Sequence, residues 1–92
     1  MSKTLPQTTN EQIFQDNFEK LIRLMIVKNI PLEITTFKAI LSAMNKIDPL
    51  GYPKEVAVAL SAKQYSVEET IIYNFIEEHQ LEIKQRKDKV EK

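Results

Sequence analysis

The sequence has no cysteine and a single glycine among its 92 residues. The absence of cysteine excludes disulfides, thiolate nucleophiles and zinc–thiolate sites, and it fits a reducing compartment, so we expect a cytoplasmic protein. One glycine leaves no phosphate-cradling loop, and no nucleophile elbow occurs, so we expect neither an enzyme nor a bound cofactor or small-molecule substrate. The most apolar run, at positions 21–27, contains Arg23 and is too short to cross a bilayer, so no membrane association is expected.

The charges balance, with 13 Lys and Arg against 13 Asp and Glu. The chain therefore has no overall basic field with which to hold a nucleic acid, and any such binding must be local. A hydrophobic content of 42% is typical of a globular protein, and the length allows one core. We predict a flexible N-terminal lead at residues 1–8, one helical domain at 9–88 and a charged C-terminal end at 89–92.

Two helices are predicted in the first half of the chain. Thr9 with Gln12, or Thr8 with Glu11, forms a capping-box pattern that marks the start of the first helix. Apolar residues at spacings of three and four then predict one core-facing stripe, which comprises Phe14, Phe18, Leu21, Ile22 and Met25. Positions 29–31, Asn-Ile-Pro, predict the helix end, and a second helix from about residue 33 to 46 would complete a hairpin.

Two further helices are predicted after a chain reversal at positions 48–51. The third is short, occupies residues 53–62, and places Val56 and Leu60 on a buried face. Ser66 and Glu69 form a second capping-box pattern, from which a long fourth helix would run to about residue 87. Its broad apolar arc consists of Val67, Ile71, Ile72, Phe75, Ile76 and Ile83. The fold class predicted is all-α, a compact four-helix domain.

The junction between the third and fourth helices has the spacing of a helix-turn-helix. Ala57, Leu60 and Val67 occupy its small, aliphatic and anchoring positions. Any two helices that meet at a sharp corner need such residues, so the pattern does not specify DNA binding. Glu68 and Glu69 lie in the turns that would face DNA phosphates, which disfavours it. If nucleic acid is bound, the candidate contacts are the basic residues Lys54, Lys63, Lys84, Arg86 and Lys87.

The single histidine, His79, falls along the apolar arc of the fourth helix, where a packing role at the helix edge is expected. No other histidine and no cysteine could complete a metal shell with it, so no metal site is predicted.

The functional prediction rests on the wide apolar arc, on Tyr65 and Tyr73, and on the separation of charges along the fourth helix. That helix is acidic along its body, at positions 68–82, and basic at its end, from position 84. The predicted protein is a small non-enzymatic regulator or adaptor that binds a protein partner, or a second copy as a homodimer, through the fourth helix and the corner before it. The predicted contacts are Tyr65, Glu68, Glu69, Ile72, Tyr73 and Ile76. The alternatives are a DNA-binding helix-turn-helix transcription regulator and a small helical inhibitor or immunity protein.

Overall fold

The computed structural model describes residues 9–83, which fold into four α-helices and contain no strand. The helices are α1 (Asn10–Lys28), α2 (Ile34–Ile47), α3 (Lys54–Tyr65) and α4 (Glu69–Glu78). Helices α2 and α3 form the most extensive pair, α1 packs on α2, and α4 packs on α3 and α2. The all-α prediction is confirmed. The core is formed by Leu21, Ala39, Ile40, Ala43, Met44, Val58, Ala62, Ile72, Phe75 and Ile76.

The starts and ends of α1 and α2 follow the local sequence. Thr9 caps α1, because its Oγ1 accepts a hydrogen bond of 3.1 Å from the backbone amide of Gln12. This satisfies one of the amide donors that a helix start leaves without a partner. The boundaries of α2 lie within one residue of those predicted, and the link at residues 29–33 joins it to α1.

Helices α1, α3 and α4 end in the same way. A residue just beyond the helix, one position after α1 and α3 and two positions after α4, is left-handed although it is not glycine, with φ of 56° at Asn29, 58° at Ser66 and 50° at Gln80. The next residue then donates its amide to the carbonyl five positions earlier at 2.9 Å, as in a Schellman motif; the pairs are Ile30 to Met25, Val67 to Ala62 and Leu81 to Ile76. The three donors are apolar and pack against the core. Each of these helix ends is therefore followed by a half-buried apolar side chain that packs against the core.

The predicted length of the fourth helix was wrong. Helix α4 has ten residues and ends at Glu78, whereas α1, with 19 residues, is the longest. The Schellman bond to the carbonyl of Ile76 turns the chain away, which leaves Ile83 outside the helix. Ser66 does not cap α4 but terminates α3, and the N-cap of α4 is Glu68, which makes no side-chain capping bond. Residues 1–8 and 84–92, on which the predictions for the lead and the charged end fall, lie outside the described residues.

The buried face of α3 also differs from the prediction. Val56 and Leu60 are exposed, and the face turned inward is made of smaller residues, namely Ala57, Val58, Ser61 and Ala62. Small side chains let the backbone of α3 lie close to α2, where Ala39 and Ala43 are also fully buried. Close approach of two helices therefore outweighed burial of the larger side chains.

Candidate functional site

The predicted contact surface on α4 is largely part of the core. Ile72 is 0% exposed and Ile76 is equally enclosed, so neither is available to a partner, and their assignment as contacts is corrected. The reason is that the short α4 turns the inner side of its apolar arc fully towards α2 and α3. Ile71, which is 43% exposed, is the isoleucine of the arc within α4 that faces solvent.

The other predicted contacts lie at the surface but have different surroundings. Glu68 and Glu69 are exposed at the start of α4, and Tyr65 is half-buried against the core. Tyr73 is also half-buried, and the Nζ of Lys54 lies 5.9 Å from its ring centroid, within the range of a cation–π interaction. The fold therefore places Tyr73 next to Lys54, although the sequence predicted Tyr73 as a protein contact and Lys54 as a nucleic-acid contact.

The possible nucleic-acid contacts do not form a basic surface in the described part of the chain. The Nζ of Lys54 donates to the Oε2 of Glu77 at 2.9 Å, so this charge is already paired, while Lys63 is exposed. Lys84, Arg86 and Lys87 lie outside the described residues. Leu60, which a helix-turn-helix would bury at its corner, is exposed. The helix-turn-helix and DNA binding stay predictions.

An apolar surface that the sequence did not point to lies on α1. Only Ile13, Asn17 and Leu21 of this helix are buried. Among the helices within residues 9–83, α2 alone packs closely against it. The outward face carries an apolar stripe formed by Phe18, Ile22 and Ile26, and we call it the α1 stripe. It lines a shallow depression of about 230 Å³.

The α1 stripe has an ordered base and charged borders. The ring of Phe18 packs edge-to-face on Phe37 of α2, with centroids 5.7 Å apart and planes at 89°, which holds that end of the stripe in place. Glu19 and Arg23 line the same depression, one acidic and one basic. The stripe is therefore a preformed apolar surface with one charge of each sign along one edge.

This surface was not predicted from the sequence, because Phe18 and Ile22 were placed with Leu21 on one core-facing stripe. Successive residues turn by about 100° around a helix, so Ile22 lies roughly 100° from Leu21, and Ile26 lies a further 40° away. The available signal was the number of apolar residues on α1, since they extend around more of the helix than α2 alone covers.

His79 packs at the edge of α4 as predicted. It is the C-cap of the helix, and its ring lies 4.7 Å from that of Phe75 at an angle of 56°. The ring borders an open cleft of about 610 Å³ between α1 and residues 79–82, which is bridged by a hydrogen bond from the Nζ of Lys20 to the carbonyl of Glu82. Within residues 9–83 no three His, Asp or Glu side chains are grouped as metal ligands.

None of the four described helices has the length and hydropathy needed to cross a bilayer. No protein-family model matches the chain, and no curated protein or solved structure matches it significantly.

Proposed function

We propose that this chain is a non-enzymatic protein that acts by protein–protein binding, as a small regulator or adaptor, and that it binds a second copy of itself through the α1 stripe. The observation that carries the proposal is the exposure of this stripe. Ile26 is 73% exposed and continues the apolar surface of Phe18 and Ile22, which α2 leaves uncovered. Contiguous apolar surface on a folded protein typically marks a binding site.

The spacing of the stripe suits a copy of the same helix. Phe18, Ile22 and Ile26 follow one another at intervals of four residues and extend over about 12 Å of helix. If two copies pair antiparallel with Ile22 at the two-fold axis, Ile22 meets its counterpart, and Phe18 of each copy meets Ile26 of the other. A two-fold interface uses one patch twice, and this patch satisfies that requirement.

The charges at the border of the stripe are also self-complementary. Glu19 and Arg23 lie one turn apart on the same edge, on either side of the proposed axis. In the antiparallel pair the charged edges of the two copies lie side by side, so Glu19 of each copy is near Arg23 of the other and two ion pairs can form along that edge of the apolar contact. In a parallel pair the charged edge of each copy would lie on the opposite side of the contact from that of the other, so neither ion pair could form, and the charge pattern therefore favours the antiparallel arrangement.

The interface is small. A stripe of three side chains with two ion pairs buries less than the roughly 800 Å² per partner of a standard stable complex. We therefore expect a reversible dimer with a dissociation constant in roughly the micromolar range. Reversible pairing of this kind suits a regulator whose state changes with concentration.

Analytical ultracentrifugation across a concentration series tests the proposal. Ile26→Glu should shift the chain to monomer, because a carboxylate would have to be buried in the contact. The matched control is Val27→Glu, since Val27 is 74% exposed on the same helix but does not line the stripe depression. A chain that is monomeric at all concentrations, or that responds equally to both variants, would contradict the proposal.

The ion pairs give an independent test. Glu19→Arg alone should weaken the dimer at low salt, because Arg would then face Arg23 of the other copy. The double variant Glu19→Arg, Arg23→Glu should restore it by reversing both pairs. Failure of the double variant to recover association would show that these charges do not face each other.

A further variant tests whether the dimer contact lies on α1 or on the surface predicted on α4. Tyr73→Ala should leave dimerisation unchanged, because Tyr73 is on α4 and packs against the core and Lys54. If Tyr73→Ala produced monomers while Ile26→Glu did not, the contact would lie at α4 and the α1 proposal would be wrong.

A further inference from the structure

A second depression, of about 370 Å³, opens beside α2 and has no acidic residue in its lining. Lys38, Ser42, Asn45 and Lys46 supply its polar part from successive turns of one helix. The chain has 13 acidic residues in all, so a lining with two lysines and no carboxylate is a marked local excess of positive charge.

Within residues 9–83, Lys46 has no negatively charged partner. Its Nζ donates to the Oγ of Ser42 at 2.7 Å and to the Oε1 of Gln64 at 3.3 Å, and both acceptors are neutral. No carboxylate of residues 9–83 lies within 4.0 Å of it. Burial lowers the pKa of Lys46, because removal of water disfavours the ammonium ion. An anion in the depression would supply the missing counter-charge.

Ser42 positions the ammonium group rather than a ligand. Its Oγ accepts hydrogen bonds from Lys46 and from the fully buried Ser61, the latter at 2.9 Å, and donates to Gln64. The hydroxyl is thus fully occupied within the protein. It keeps the Lys46 side chain from swinging out into solvent.

Asn45 adds an oriented donor. Its Oδ1 accepts a 2.9 Å hydrogen bond from the Nδ2 of the buried Asn17, which fixes the carboxamide so that its own NH₂ group points away from Asn17. That NH₂ group has no acceptor among the described residues, although Asn45 lines the depression. Asn45 therefore has an amide donor that a ligand in the depression could use.

We propose that this depression binds a phosphate monoester, with the phosphoryl oxygens accepting hydrogen bonds from Lys46, Asn45 and Lys38. A phosphate monoester is an acceptor with close to two negative charges, which matches two lysines and an amide donor. The remaining lining residues, Leu41, Leu50 and Tyr65, would contact the organic part of the ester. This site is separate from the α1 stripe and does not depend on dimerisation.

Two-dimensional ¹H–¹⁵N NMR titration tests the proposal, with phenyl phosphate as the probe and inorganic phosphate and benzoate as comparators. Phenyl phosphate should shift the amides of residues around 42–46 and Tyr65, and it should bind more tightly than inorganic phosphate because its ring reaches the apolar lining. Benzoate, which has the ring but a single negative charge, should bind at least about tenfold more weakly than phenyl phosphate.

Two variants and a matched control make the test specific. Lys46→Gln and Lys38→Gln should each weaken phenyl phosphate binding, with the larger loss, about tenfold, for Lys46→Gln. Lys38 makes no hydrogen bond with another described residue, so its replacement should leave the fold intact. Lys28→Gln, on α1 outside the depression, should bind as the wild type does.

Three results would overturn the proposal. They are the absence of localised shifts, equal binding of benzoate and phenyl phosphate, and unchanged binding by both Lys46→Gln and Lys38→Gln. Ile26→Glu should retain phosphate binding, so the failure of one proposal is distinguishable from the failure of the other.

Discussion

Asn17 and Asn45, 28 residues apart, are joined by a 2.9 Å hydrogen bond between their side chains. The same Nδ2 of Asn17 also donates to the backbone carbonyl of Asp48 at 2.9 Å, so one buried amide of α1 holds both the end of α2 and the residue that follows it. This polar contact lies inside the hairpin, where the sequence predicted only apolar packing.

The first prediction concerns this amide. Asn17→Ala should lower the free energy of unfolding by about 2 kcal/mol, because the Asp48 carbonyl and the Asn45 side chain each lose a buried donor. Urea denaturation measures the change. Asn74→Ala, at an exposed position of α4, is the control and should change stability by no more than about 0.5 kcal/mol. A loss below that level for Asn17→Ala would show that the contact contributes little.

The second prediction separates two neighbouring isoleucines of α4. Ile72→Ala should cost about 2–5 kcal/mol, because it leaves a cavity between α4 and its neighbours. Ile71→Ala removes the same atoms from a side chain that is already partly in water, so it should cost less than about 1 kcal/mol. Thermal or urea unfolding of both variants provides the comparison. Equal losses would contradict the burial that removed Ile72 from the contact surface.

The third prediction concerns the left-handed helix ends. Gln80→Gly should raise the free energy of unfolding by about 0.5–1 kcal/mol, because glycine adopts a positive φ without the Cβ clash. The same change inside a helix should have the opposite effect, and Gln15→Gly in α1 is expected to cost about 1 kcal/mol. If both variants were destabilised alike, Gln80 would not hold the conformation described.

The fourth prediction follows from Lys46. Its pKa in the folded chain lies below the ordinary 10.5, because burial penalises the charged form. Between the lowered pKa and 10.5 the unfolded chain binds more protons than the folded one, so this residue makes the free energy of unfolding increase as pH rises. Between pH 7 and pH 10.5 the urea midpoint of the wild type should therefore rise relative to that of Lys46→Met. A difference that stays constant over this range would show that burial does not affect this lysine, and Lys28→Met controls for the general loss of a lysine.

The first half of the fold was predictable because its signals are local. Thr9 and Asn29 each determine a helix end through their own side chain or backbone preference, and both ends of α1 were located correctly. The apolar periodicity of α2 coincides with residues that are buried in the fold, so the observed boundaries of this helix agree with the predicted ones within one residue.

The second half was less predictable because its deciding contacts are not local. Ser66 is equally compatible with starting a helix and with ending one, and the half-buried Val67 after it, which packs against the core, decides between them. In the same way nothing in the sequence marks Gln80 as left-handed, because glutamine rarely adopts that conformation. The inner face of α3 depends on how closely α2 approaches, which apolar periodicity cannot reveal.

The candidate site was only partly predictable for the same reason. A binding surface was predicted from the surplus of apolar residues on α4, whose length was overestimated, whereas exposed apolar residues also lie on α1. Which apolar residues stay uncovered depends on how many helices pack against each helix, and among the helices of residues 9–83 only α2 packs closely against α1. Asn45 and Lys46 were not singled out in the sequence, because the depression that both line forms only where Tyr65 of α3 packs beside α2.

Beyond Leu21 the side chains of α1 that pack against the core, Leu24 and Met25, are only partly buried, so the last two turns of the helix are anchored less firmly than its first three. Backbone amides near Ile26 should therefore exchange with deuterium through local opening, while those near Asn17 require unfolding of the whole chain. If two copies pair through the α1 stripe, exchange of the amides near Ile26 should slow as protein concentration rises. Dimerisation could then be measured residue by residue in the unmodified chain.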